Sequence, residues 1–129
     1  MKKKILIVNA NYYKEISLGL LKNALKQFPK NNNIKIVNVP GVFEIPVTIS
    51  KNLKKFDAFI ALGCVIKGKT PHFNFISQAS TDAIMSLSIT SKKPIGNGII
   101  TCLNMNQAKV RKSKGSEAAE AVLSVLSQK

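Results

Sequence analysis

The sequence predicts an α/β fold, a four-stranded parallel sheet with helices on both faces. Three observations carry that prediction. Short apolar runs alternate with longer segments of helical periodicity from one end of the chain to the other. The clearest runs are continuous rather than alternating and rich in Ile or Val, as in strands buried on both faces. Strand–helix–strand repeats also require right-handed crossovers, which yield a parallel sheet. The 129 residues, 45% of them apolar, suit one domain, residues 1–129, with a substantial core.

Residues 4–9 form the first predicted strand, behind a charged lead-in. From Ile16 to Phe28, the residues Ile16, Leu20, Leu21, Ala24, Leu25 and Phe28 recur at helical spacing. Pro29 and the Asn31, Asn32, Asn33 cluster end that helix. Residues 34–39 are the second strand, broken by Pro40 and Gly41. A less regular helical pattern follows through Val47 and Leu53. Residues 57–64 are the third strand. Thr70 then reads as an N-cap and Pro71 as the first residue of a helix running to about Thr90. Residues 95–101 are the fourth strand. From Asn104 the chain is helical, with a break near 113–115. Ala118, Ala119, Val122, Leu123 and Leu126 then lie along one face.

The composition excludes several classes. No apolar run approaches the roughly 18 residues of a membrane span. The opening stretch is too short, and too soon interrupted by Asn9 and Asn11, for a signal peptide. Two cysteines, Cys64 and Cys102, are too few for a disulfide framework and read as reduced residues near strand ends. A cytoplasmic location is the expectation. One histidine and two distant cysteines build no usual metal site, and neither a GxGxxG nor a GxxxxGK[ST] loop is present. The formal net charge of +14 invites a nucleic-acid reading. Against it, 20 basic residues include a single arginine, and the lysines are scattered along the chain. Neither a nucleic-acid nor a membrane partner is expected, and duplex binding that weakens steeply with salt would be the contrary sign.

In parallel sheets, ligands bind beyond the carboxyl ends of the strands, which directs attention to the segments 9–13, 39–44, 63–72 and 101–106. The segment 63–72 holds the lone histidine, His72, beside Gly68, Lys67 and Lys69. Free N–H groups at a helix start favour an anion there, and an imidazole passes protons near neutral pH; a plain surface histidine is the alternative. Glu44, among Phe43, Ile45 and Pro46, suits substrate hydroxyls or simply a helix start. Tyr12 and Tyr13 end the first strand, where an aromatic stacks on a heterocycle or packs under the next helix. Arg111 is the one guanidinium, suited to bidentate phosphate binding or idle on an exposed helix.

Taken together, the segments "VPGVFEIP", "ALGCVIKGKTPHFNFIS" and "NQAKVRKSKG" resemble, in order and spacing, the lumazine synthase family. The resemblance spans about residues 4–126. It implies a flavodoxin-like three-layer sandwich, the four-stranded parallel sheet lying between its helices. It implies a transferase of riboflavin biosynthesis that works without a cofactor or metal. That enzyme condenses 5-amino-6-(D-ribitylamino)uracil with 3,4-dihydroxy-2-butanone 4-phosphate, giving 6,7-dimethyl-8-ribityllumazine, phosphate and water. It further implies a homopentamer, or a multiple of one, with active sites between subunits, and riboflavin synthase as a candidate partner. On the matching positions, Tyr12 stacks on the pyrimidine, and Val42, Phe43 and Glu44 hold the ribityl chain. Cys64, Val65 and Ile66 line the pyrimidine pocket through backbone groups. Lys69 and Thr70 offer backbone N–H groups to the phosphate. His72 shuttles protons. Arg111 binds the phosphate from the neighbouring subunit, and Lys114 takes the place of the family's late lysine.

The chain departs from the family pattern at four places. Tyr13 replaces an asparagine. Asn97 stands where a phenylalanine packs on the heterocycle. The stretch between Arg111 and Lys114 is several residues short, and the N-terminus lacks the extra edge strand of many relatives. Asn97 and the short stretch motivate an alternative, a flavodoxin-like module that binds a flavin or ribityl compound without turnover.

Overall fold

A computed structural model describes residues 3–29, 33–68 and 71–128. Its sheet has four strands, β1 (Lys4–Ala10), β2 (Asn33–Val39), β3 (Ala58–Ile66) and β4 (Ile95–Cys102), in the order β2-β1-β3-β4. Every pairing is parallel, for example Ile7 with Ile36 and with Ile60, and Ile60 with Gly96. The helices are α1 (Lys14–Leu25), α2 (Ile45–Lys51), α3 (His72–Ser91), α4 (Met105–Lys109) and α5 (Lys114–Leu126), and one 3-10 turn covers Val42–Glu44. The flavodoxin-like α/β expectation therefore holds.

The central strands explain the continuous apolar runs. β1 and β3 are buried along almost their whole length, because each packs on both faces. Ile5 and Ile7 point into one core with Ile16 and Leu20 of α1 and Ala118, Ala119 and Val122 of α5. Leu6 and Val8 point into the other, with Ile45 and Ile49 of α2 and Ile84 of α3. These alternate side-chain directions are the period of two that strands impose.

Two glycines set how closely α5 is held. A Cβ on Gly96 of β4 would run into the carbonyl oxygen of Ala118, and one on Gly115 into the carbonyl oxygen of Leu20. Both obstacles are backbone and cannot rotate aside. Helix α5 is thus seated backbone-to-backbone against β4 on one side and α1 on another.

Several boundaries differ from the sequence expectation. α1 begins at Lys14 and ends at Leu25, where Ile16 to Phe28 was expected. The N–H groups of Gln27 and Phe28 instead close tight turns onto Ala24 and Leu25. The apolar stripe reports which face is buried, not where helical hydrogen bonds stop. β3 starts at Ala58 and extends to Ile66, past the expected end at Cys64. Pro71 occupies the cap position rather than the first helical one, and His72 opens the helix. Thr70, the expected cap, and Lys69 lie outside the described residues. No helix among the described residues is long and apolar enough to cross a membrane.

Candidate active site

The carboxyl ends of β1, β2 and β3 are drawn together by backbone and side-chain bonds. Asn11 N–H donates to the Val39 carbonyl at 3.0 Å, joining the segments that leave β1 and β2. The Ser17 hydroxyl of α1 donates back to the Ala10 carbonyl. After β2, Pro40 and Gly41 redirect the chain into the 3-10 turn, where Glu44 N–H donates to the Gly41 carbonyl at 3.2 Å. The Glu44 carbonyl then accepts from the Thr48 hydroxyl at 2.8 Å. With Val42 buried beneath, the turn presents Phe43 outward and Glu44 half-buried.

These ends surround a cavity of about 530 Å³, of the size that holds a small-molecule substrate. It is lined by Tyr12, Val42, Phe43, Glu44, Cys64, Val65, Ile66 and His72, all predicted from the sequence, together with Tyr13, Gly41 and Ile76. Tyr12 is 73% exposed, a large ring available to stack. Its orientation is fixed by an edge-on contact with Tyr13, the ring centroids 4.9 Å apart at 83°. Burial raises the Tyr13 phenol, with smaller contributions from Cys64 and Tyr12. Burial likewise pushes the Cys64 thiol up to about 12, reinforced by Cys102. A thiol so held stays protonated and is no nucleophile at neutral pH. Both cysteines are free and buried, as expected. His72, in the first turn of α3, is exposed and overlooks the cavity from its rim.

Asn97, Arg111 and Lys114 are not part of this cavity. They line a second one, about 540 Å³, against the edge strand β4, with Thr81 of α3, Thr101 and Glu117 among its walls. The Arg111 guanidinium reaches back to the end of β4, its Nη1 donating to the Thr101 carbonyl at 3.3 Å and lying 4.0 Å from Cys102 Sγ. The Asn97 side chain turns onto its own strand, Oδ1 accepting from Ile99 N–H at 3.0 Å. Lys114 pairs with Glu117 at 3.7 Å. Helix α3 stands between the two cavities, with Ile76 facing the first and Thr81 the second. One chain therefore carries two half-lined pockets with no residue in common.

Sequence reasoning missed Ile76 and Thr81. Ile76 was detectable, since a residue four positions after His72 shares its helical face. Among the described residues, no group of three or more His, Cys, Asp and Glu is placed to hold a metal ion.

Comparison with known proteins gives one consistent result. A family model described as 6,7-dimethyl-8-ribityllumazine synthase matches residues 2–129. The 6,7-dimethyl-8-ribityllumazine synthase of Bartonella tribocorum is 41% identical, over 100% of this chain and 93% of the relative. That of Bartonella henselae is 42% identical over 97% and 87%. That of Cutibacterium acnes is 36% identical over 95% and 80%.

Proposed function

The chain belongs to the 6,7-dimethyl-8-ribityllumazine synthase family, and on that premise we propose how its two pockets divide the family's reaction. The enzyme condenses 5-amino-6-(D-ribitylamino)uracil with 3,4-dihydroxy-2-butanone 4-phosphate, a transferase step of riboflavin biosynthesis. The reading rests on one observation: a single cavity at the carboxyl ends of three strands gathers Tyr12, Val42–Glu44, Cys64–Ile66 and His72.

In this reading the pyrimidine lies on the Tyr12 ring, against the backbone of Cys64, Val65 and Ile66. The ribityl chain runs along Val42 and Phe43, and Glu44 accepts from its hydroxyls. The substrate's 5-amino group attacks the ketone carbonyl, water leaves as an imine forms, phosphate is eliminated, and the ribityl-bearing amine closes the ring onto the remaining carbonyl with loss of a second water. Each step moves protons at neutral pH, which is the work of the His72 imidazole. None needs a protein nucleophile, in keeping with the raised Cys64 thiol. Orientation of two substrates in one walled cavity supplies much of the rate.

The phosphate partners are Arg111 and the backbone of Lys69 and Thr70, with Lys114 beside them, while Asn97 faces the heterocycle from the second pocket. Arg111 belongs to the second pocket of its own chain. That separation supports a site completed by a neighbour, the first pocket of one subunit facing the second pocket of the next in a pentameric ring. Such head-to-tail contacts close into rings when the rotation permits.

The test is direct. Purified protein is incubated with both substrates and followed by lumazine absorbance and fluorescence. Product formation is expected; ligand binding without product would leave only the flavin- or ribityl-binding module. Native mass is expected to give five subunits or a multiple, and an active monomer would overturn the shared site.

A further inference from the structure

The end of the molecule opposite the active site carries a charge pattern that the linear sequence disguises. Three adjacent strands each begin beside a pair of lysines: Lys3 and Lys4 at β1, Lys54 and Lys55 before β3, Lys92 and Lys93 before β4. The pairs lie dozens of residues apart in sequence, which is why the lysines look scattered. The parallel topology stacks them side by side, because every strand enters the sheet from the same end. Lys93 Nζ donates to the Leu53 carbonyl, tying the loop before β4 to the residue preceding Lys54. The one acidic residue in these loops is Asp57, whose carboxylate already accepts from the Lys4 backbone N–H at 2.8 Å. The two ion pairs among the described residues, Lys112 with Glu15 and Lys114 with Glu117, are both at the opposite end.

We propose that this amino-end face binds double-stranded nucleic acid through its phosphate backbone, independently of the synthase site. Neighbouring strands are roughly 5 Å apart, so the starts of three span about 10 Å, and the segments entering them carry five lysines besides Lys93, whose ammonium is held on the Leu53 carbonyl. A duplex carries about six phosphates over the same length, counted on both strands. The face holds lysine and no arginine, so it offers point charges for phosphates and no fork for reading base edges. Binding is therefore without sequence preference. The exposed aromatics Tyr12, Phe43 and Phe75 are all near the carboxyl ends of the strands. The lysine face has none, which disfavours stacking on single strands.

The test is fluorescence anisotropy of a labelled random-sequence duplex of about 20 base pairs, titrated with the full chain over a series of salt concentrations. Each phosphate contact contributes about 0.9 to the slope of log affinity against log salt. The triple substitution Lys3→Gln, Lys54→Gln, Lys55→Gln is expected to weaken binding at least tenfold at low salt and to flatten the slope by about 2 to 3 units. A control carrying Lys14→Gln, Lys67→Gln and Lys109→Gln, all near the carboxyl ends of the strands, removes the same charge elsewhere and is expected to bind nearly as the parent does. Thermal midpoints of both variants establish that they are folded. Equal loss in the two triples would show a diffuse effect of net charge and overturn the assignment, as would absence of binding at low salt. Tighter capture of polyglutamate, or of phosphatidylserine vesicles at matched charge, would overturn it in favour of a protein or membrane partner.

Discussion

Two crippled variants should repair each other if the active site is shared between subunits. His72→Ala removes the proposed proton carrier, and loss of a general acid–base typically lowers turnover about 10²–10⁴-fold. Arg111→Ala removes the proposed charged donor to the phosphate, worth about 1.5–3 kcal/mol, or roughly a 10–100-fold rise in KM for the phosphate substrate. His72 lines the first cavity and Arg111 the second, with no residue shared. In a one-to-one co-assembled ring, each site draws its first pocket from one subunit and its second from a neighbour. With random placement, about one site in four receives an intact half from each side. Co-expressed protein, assayed with the phosphate substrate well below its KM, should therefore reach about a quarter of parental kcat/KM. Separately purified variants combined without exchange should give only the average of two weak enzymes. If co-assembly also gives no more than that average, both groups act within one chain and the division of the site is wrong.

Three further outcomes follow from the geometry. Asn97→Phe restores an aromatic at the second pocket and should tighten the pyrimidine substrate by about 0.5–1.5 kcal/mol, a roughly 2- to 10-fold fall in its KM; an unchanged KM would mean that position 97 does not face the heterocycle. Gly115→Ala drives a methyl group into the Leu20 carbonyl and should destabilise the fold by about 1–3 kcal/mol or more, read as a lower urea midpoint at unchanged m-value. The buried Cys64 thiol, held protonated up to about 12, contributes stability that is complete below the thiol's ordinary range near about 8.5 and is lost as pH rises from there toward 12, by up to about 1.4 kcal/mol per pH unit. The stability difference between parent and Cys64→Ala should therefore narrow between about pH 8 and pH 10; a constant difference would contradict the raised thiol.

The parts of the fold that could be read in advance are those fixed by local chemistry. β1 and β3 declare themselves because burial on both faces favours continuous apolar runs, Asn9 near the end of β1 excepted, and α5 because its apolar stripe is regular. The loops carrying Tyr12, Glu44, Cys64 and His72 follow once the sheet is parallel, since all strands then end on one side. The 3-10 turn at Val42–Glu44 has no periodicity to betray it. The place of Pro71 as a cap rather than a first helical residue was equally hidden, since both positions suit its fixed φ. The separation of Asn97 and Arg111 from His72 is topological. It depends on β4 taking the sheet edge and α3 lying between the cavities, which no short stretch of sequence encodes. The lysine pairs illustrate the same limit, being distant in sequence and neighbours in space.

The glycine seats of α5 bear on how the enzyme moves. With Gly96 pressed under Ala118 and Gly115 under Leu20, the helix cannot slide or tilt without separating two backbone contacts at once. Arg111 sits just ahead of that helix, its guanidinium tethered to the end of β4. It is thus carried on a rigid body rather than on a hinge. If the site is shared between subunits as proposed, this rigidity means that whatever room a substrate needs to enter comes from one whole protomer shifting against the next rather than from a hinge within the chain.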